Sequence, residues 1–457
     1  MKKFIDTLKN IWSIKELRER ITFTLLLLLV YRIGSYIVLP GVIPQVLKDS
    51  FGSGNPGDLL GLINMFAGGA FANASIMALG IMPYITASII VQLLGFAVPY
   101  FQKLQQREGE SGRKKLNQIT RLLTVAITLV QGSAYLTYLV SQGAVDPSIP
   151  QGIFFLSNTI ILMTGTMFAM WLGERITDKG IGNGVSILIT VGIIASLPSS
   201  LIGEFQLKFQ GGGGGLFVFI LELVALFMVM MATVLIVQGV RRVPLQFAKR
   251  MVGRGSSQMP AASARDYLPI KVNAAGVMPI IFAQALMFIP AQIAQFIAGT
   301  SGNEVSGFLR SLSDFTSGPY NVIYFLLVVV FTYIYTALLV NPQQQAEYLK
   351  RQNAFIPGIK PGKPTADFLD STVTRITLPG SIFLGLISIM PAFAAAFGAN
   401  TAFALFFGGT SLLILVAVVL DTLQQIESYL LMRKYDGLVK SGRLKSRGGV
   451  QGIGASM

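Results

Sequence analysis

The sequence contains no cysteine and no histidine. The first absence excludes disulfides and thiolate nucleophiles, and the second removes the commonest general base. Together they remove the usual zinc ligands. Enzyme chemistry therefore starts without its most versatile side chains, and no metal or cofactor is expected. Charge is also scarce. Asp, Glu, Lys and Arg make up 12% of the 457 residues, where soluble domains run near a quarter. Hydrophobic residues make up 52%, so the composition is that of an integral membrane protein. The N-terminal "MKKFIDTLKNIWSIKELRER" is charged and amphipathic, with no small-residue cleavage site after the apolar run that follows. The first span is expected to be retained rather than cleaved.

A window of about 20 apolar residues finds ten spans, near residues 21–40, 73–97, 118–140, 153–172, 184–202, 216–238, 274–297, 320–340, 375–392 and 402–427. The expected fold is an all-α polytopic bundle. Five spans fall in residues 21–202 and five in 216–428, joined by a Gly-rich external connection over 203–215. An odd number per half makes the second half enter the membrane inverted relative to the first, an architecture that places a pathway between the halves. Orientation follows from the basic residues. Of the 36 Lys and Arg, 32 lie on the side of the termini or at the span ends adjoining it, leaving Arg32, Lys48, Lys208 and Arg310 for the spans and the opposite side. The amphipathic segment 1–20, the basic tail 429–457 and the loops carrying the rest are thus expected in the cytoplasm.

Two cytoplasmic loops, 239–272 and 342–374, are long for helix connections and rich in Lys and Arg. Charge there serves topology and attraction to anionic lipid, and equally suits docking of a large polyanionic or acidic partner. The docking candidates are Arg250 and Arg254 in the first loop and Lys350, Arg351, Lys360 and Lys363 in the second. The string "GIKPGKPT" fails as a phosphate loop: three residues separate Gly358 from Gly362, and Pro364 stands where Ser or Thr would bind magnesium. Nucleotide hydrolysis is not expected of this chain. Charges near mid-membrane are few as well. Arg32 lies toward the outer end of span one, from where it could snorkel, Glu222 near the start of span six, and Asp421 and Glu427 in the last turns of span ten. None makes a substrate or ion site at mid-depth, which weighs against a secondary transporter.

The stretches "YRIGSYIVLPG" (31–41), "NMFAGGAFANASIMALGIMPYITASIIVQLL" (64–94), "EGESGRKK" (108–115), "GTMFAMWLGERITDKGIGNGVSI" (165–187), "FIPGIKPG" (355–362) and "FGGTSLLI" (407–414) together resemble the SecY family, in family order along nearly the whole chain. That family supplies the channel subunit of the bacterial Sec translocase in the inner membrane. The resemblance implies a passive protein-conducting channel that passes unfolded secretory polypeptides and releases hydrophobic segments sideways. It implies SecE and SecG subunits, the SecA motor ATPase or a ribosome docked through its RNA on the basic loops, signal peptides, preproteins and lipids as partners.

The resemblance also assigns sites. The segment near 59–70 becomes a plug, with Leu62, Met65 and Phe66 in its body and Gly68 and Gly69 as its hinge. The pore ring becomes Ile81, Ile85, Val185, Ile189, Ile281 and Ile414, with Val185 one methylene smaller than the Ile usual there. Ile81 with Ile85, and Val185 with Ile189, are four apart and are expected on one helical face each. Such an apolar collar excludes ions by dewetting. Gln92 and Asn273 fall at the lateral gate. Lys360 stands where relatives usually carry Arg, between Gly358 and Gly362.

Overall fold

The computed structural model describes residues 14–47, 59–106, 109–210, 215–247, 266–287 and 314–440, with positions 12, 307, 311 and 312. The side chains of 431–440 and of a few helical residues, Leu62 among them, are outside the description. Arg250 and Arg254 also lie outside the described residues.

Helices dominate. In chain order they are α1 (Lys15–Gly34), α2 (Leu59–Phe66), α3 (Met82–Ala97), α4 (Pro99–Gln106), α5 (Gly109–Ser141), α6 (Gln151–Lys179), α7 (Gly184–Gln210) and α8 (Gly215–Val237). After them come α9 (Met278–Met287), α10 (Gly318–Leu339), α11 (Pro342–Arg351), α12 (Lys363–Ala396), α13 (Thr401–Ala404) and α14 (Gly409–Lys440). Among the described residues, seven helices are long and apolar enough to cross a membrane, and parts of α3 and α9 are shorter apolar helices. α1 adds a further apolar helix behind the charged turn of Arg18, Glu19 and Arg20.

Three boundaries differ from the hydropathy reading. Span two, expected from residue 73, becomes helical only at Met82. Residues 67–81 form successive turns, apolar enough to be counted into the span. Span one stops at Gly34 rather than 40. The connection expected over 203–215 is helical through Gln210, because α7 continues past Pro198. The second half of span seven lies outside the described residues.

Close packing rests on small and back-bonded side chains. On α5 the hydroxyls of Thr120, Thr124 and Thr128 donate to carbonyls one turn earlier at 2.9, 2.7 and 2.7 Å, so their polar groups are satisfied within the helix and the face stays thin. Gly165 on α6 and Gly184 at the start of α7 meet backbone: a β-carbon at either would stand 2.0 Å from a carbonyl oxygen, of Ile76 and Gly173 respectively. α1 and α14 converge on the turn after α6. Arg20 donates to Gly180 O at 3.4 Å and covers the ring of Tyr429 at 5.3 Å, while Gln425 accepts from Gly182 N at 2.8 Å.

The two basic loops meet in a feature that hydropathy does not reveal, a three-stranded antiparallel sheet. β1 (Val240–Phe247) lies in the centre, with β2 (Asp266–Lys271) and β3 (Ala354–Phe355) on either side. Its register pairs Val243 with Leu268 and Gln246 with Phe355. Alternation on β1 turns Val243 and Leu245 inward onto Leu349 of α11 and Leu369 and Val373 of α12 and leaves Arg242 outward, while Arg241, on the inward-facing parity, lies beyond the packed part of the strand and is exposed too.

Candidate functional site

All six expected ring residues fall in one apolar cluster, together with Met65 and Phe66. Four of them, Ile85 of α3, Ile189 of α7, Ile281 of α9 and Ile414 of α14, line a cavity of about 260 Å³. Four elements from both halves of the chain therefore converge on one largely apolar space, with Thr86, Gln131 and Gln284 also on its lining. Ile81 and Val185 stand behind this lining. Both pack on Gly173 of α6, where a β-carbon would meet Val185 Cγ2 at 3.2 Å and Ile81 Cδ1 at 3.5 Å. Ile81 is the N-cap of α3, with φ −98° and ψ 0°, and its carbonyl accepts from Ile85 N at 3.1 Å, the first bond of the helix, so the two residues stand one turn apart at its start.

Phe66, at the C-terminus of α2 and 6% exposed, closes part of the same cavity. α2 ends in a glycine motif. Gly69 N donates to Asn64 O at 2.8 Å and Gly68 N to Met65 O at 3.0 Å, with Gly68 left-handed at φ +64°. This satisfies the last carbonyls of the helix and turns the chain sharply. Gly69, at φ +86°, continues the turn. Asn64 Oδ1 then accepts from Ala72 N at 2.9 Å, and Tyr135 OH donates to Phe71 O at 2.8 Å, fixing the segment that follows. The short helix is thus bounded by two residues with glycine-type backbone and touches the cavity with its last ring.

Gly68 is also held from outside its own segment. Arg32 of α1 donates through Nη1 to Gly68 O at 2.5 Å and through Nη2 to Tyr36 OH at 3.3 Å. Its guanidinium lies over the Tyr36 ring at 5.2 Å. The side chain thus reaches the turn that ends α2. Gly68 meets α7 at the same point: Gly192 needs its missing side chain, since a β-carbon there would stand 2.5 Å from Phe66 O.

The polar residues expected at a lateral seam separate. Gln92 on α3 accepts from Tyr335 OH on α10 at 2.6 Å, and its amide donates to Ser88 at 3.2 Å. A polar bond therefore joins a helix of the first half to one of the second, beside a cavity wall of Ile89, Ile90, Phe282 and Phe331. Asn273 does not join it. It lies at the turn before α9, 7% exposed, and its Oδ1 has no hydrogen-bond partner among the described residues. Tyr335 was missed because tyrosine near the end of a span reads as an interfacial anchor.

The docking candidates that are described, Lys350, Arg351, Lys360 and Lys363, are all exposed on the side bearing the sheet. Lys360 occupies a turn between Gly358 (φ +84°) and Gly362 (φ +103°), and its carbonyl accepts from Thr365 Oγ1 at 2.9 Å.

Far from the sheet, the last turns of α7 carry an ionic cluster. Lys208 Nζ lies 3.0 Å from Glu222 Oε1 of α8 and 3.5 Å from Glu204 Oε1, and it donates to Gly398 O at 2.8 Å. Glu204, 0% exposed, accepts from Asn400 N at 2.7 Å through its other oxygen. Lys208 and the two carboxylates thereby tie α7, α8 and the turn after α12 together.

Comparison with known proteins places this geometry. The SecY family model matches residues 75–423. The Protein translocase subunit SecY of Chlamydia trachomatis serovar D is 40% identical, over 96% of this chain and 99% of its own length. Among solved structures, a channel described in work on the plug domain of SecY, which stabilises that channel's closed state and maintains a membrane seal, superposes with a TM-score of 0.63. It is 18% identical and covers 90% of this chain and 92% of its own. Sec61 in the canine ribosome–channel complex of the endoplasmic reticulum superposes with a TM-score of 0.60 at 18% identity, over the same 90% and 92%.

Proposed function

Because the chain belongs to the SecY family, we propose that it is the pore-forming subunit of a protein translocase, a protein-conducting channel for unfolded secretory polypeptides that also lets hydrophobic segments leave sideways. The observation that carries this reading is the convergence of Ile85, Ile189, Ile281 and Ile414 from four elements on a largely apolar cavity against which Phe66 packs. A collar without polar groups resists ions and water, yet admits an extended chain without selecting its sequence. Ile81 and Val185 back the collar and set its width through Gly173.

α2 serves as the plug, with Leu62, Met65 and Phe66 as its body and Gly68 and Gly69 as the hinge. Gln92 and its partner Tyr335 mark the lateral exit between α3 and α10; Asn273 sits at the base of α9 on the same side. The channel is passive and performs no catalysis, so partners drive transport. The exposed Lys350, Arg351, Lys360 and Lys363, with Arg250 and Arg254 of the first loop, suit a ribosome, whose RNA phosphates attract cations without sequence readout, or the SecA motor. SecE and SecG are the small membrane subunits of this assembly. The chain is a multi-pass membrane protein, and the excess of Lys and Arg in the basic loops supports an orientation with both termini on the cytoplasmic side of the inner membrane.

Vesicles reconstituted with the chain, its co-purifying small subunits and a motor ATPase test the reading. A radiolabelled, unfolded precursor should become protease-protected, and deleting residues 60–66 should add ion leak while protection persists. A parent assembly that never protects the precursor, or a deletion that stays ion-tight, would overturn it.

A further inference from the structure

The plug hinge is fastened by one charged side chain. Gly68 lies in the left-handed region because it closes the glycine motif at the end of α2. With its N–H spent within that motif, the carbonyl of Gly68 is left pointing away from the helix, and Arg32 Nη1 meets it at 2.5 Å. A cation at this position also faces the negative end of the α2 dipole. Among the described residues, Arg32 has no carboxylate within ion-pair distance. Its other contacts are the hydroxyl and ring face of Tyr36, four residues on in the chain. The guanidinium therefore holds the plug by a single charge-assisted bond to a neutral acceptor, and Tyr36 stays with it when that bond opens. Among the described residues, the other contacts of α2 are the apolar packing of Met65 and Phe66, the Asn64 Oδ1 bond within its own segment and the backbone contact with Gly192; Arg32 is the one charged side chain among them.

We propose that Arg32 is the latch of the plug, a positioning residue that keeps the hinge seated by its bond to Gly68 O and releases it as one unit when the channel opens. This rests on the channel reading above. The geometry fits a part that must come loose, because breaking one bond to a carbonyl strands no buried counter-charge. A bond of this kind sets a preference on the order of tenfold or more between seated and unseated states.

The test is resting ion flux through vesicles containing the assembled complex. Arg32→Gln should raise it roughly tenfold, while Arg32→Lys, which keeps a charged donor, should stay within about twofold to threefold of the parent. A disulfide separates unlatching from misfolding. A β-carbon on Gly80 would stand 3.9 Å from Ala67 Cβ, a separation a disulfide spans, and the chain has no other cysteine; because Gly80 is left-handed at φ +52°, the pair is placed first in the parent, whose oxidised and reduced forms should both stay tight. Adding Ala67→Cys and Gly80→Cys to Arg32→Gln should restore the seal under oxidation and lose it again on reduction. An Arg32→Gln complex as tight as the parent would overturn the latch, as would a leak that persists once the disulfide has formed. Precursor protection by the parent, measured in the same vesicles, keeps the two readings apart. If the parent fails to transport, the channel reading falls, whereas a transporting parent with a tight Arg32→Gln removes the latch alone.

Discussion

Lys208 and Arg32 are each the lone basic residue of their surroundings, and the protein treats them in opposite ways. Lys208 faces two carboxylates and a carbonyl, with one carboxylate fully buried and its second oxygen engaged by Asn400 N. Arg32 faces a carbonyl and a tyrosine. Taking Lys208 away leaves two buried negative charges against each other, whereas taking Arg32 away leaves one carbonyl in need of water. A charge surrounded by counter-charges makes a joint that stays shut. A charge bonded to a neutral acceptor on a glycine hinge makes a contact that can be exchanged. The chemistry of the partner, rather than the presence of the ion, distinguishes a fixed point from a moving one.

That contrast can be broken most decisively at the fixed point. Lys208→Met should destabilise the folded chain by about 3–5 kcal/mol, since an uncompensated buried charge is what remains. Denaturant-induced unfolding in detergent should show this as a large loss relative to the parent. A stability equal to the parent's would mean that the cluster is not the joint described here. The next effect is smaller and belongs to the plug. Gly192→Ala places a methyl group 2.5 Å from Phe66 O, and the resulting overpacking, about 1–3 kcal/mol, falls on the seated plug. Resting ion flux should rise, and its failure to do so would show that α2 does not bear on α7. The smallest expected effect is at the seam. Tyr335→Phe deletes a hydroxyl whose bond to Gln92 contributes about 0.6–2 kcal/mol between membrane helices. Photocrosslinking of a hydrophobic segment to lipid should then become a few-fold faster. Slower release would mean that this bond does not hold the seam closed.

What could be read from the sequence follows from what hydropathy and glycine report. Long apolar runs gave the spans from the third to the sixth and the eighth to the tenth, because a membrane helix must satisfy its backbone internally and so announces itself by length. Gly358 and Gly362 around Lys360 were legible as a turn, and both have positive φ. Residues 67–81 were not legible, since buried turns between helices are as apolar as the helices, and a window merges them. Ile81 falls at the edge of that stretch, as the N-cap of the helix that the window placed nine residues earlier. The sheet escaped because β1 and β3 are about a hundred residues apart and each is short. The partners of Arg32 and Tyr335 were illegible for one reason, that a polar residue near a span end has a default explanation at the membrane surface. Only a three-dimensional partner displaces that default.

The small sheet has a mechanical meaning. β1 and β2 belong to the connection from α8 to α9, and β3 to the connection from α10 to α12. Its apolar underside is clamped to Leu349, Leu369 and Val373. Every strand is thus rooted in helices of the second half, and none in α1 to α7. On the channel reading proposed above, the sheet and the Lys360 turn are a handle rooted in one half: a load from a body docked there would act first on α8 to α12, away from the half that bears α2.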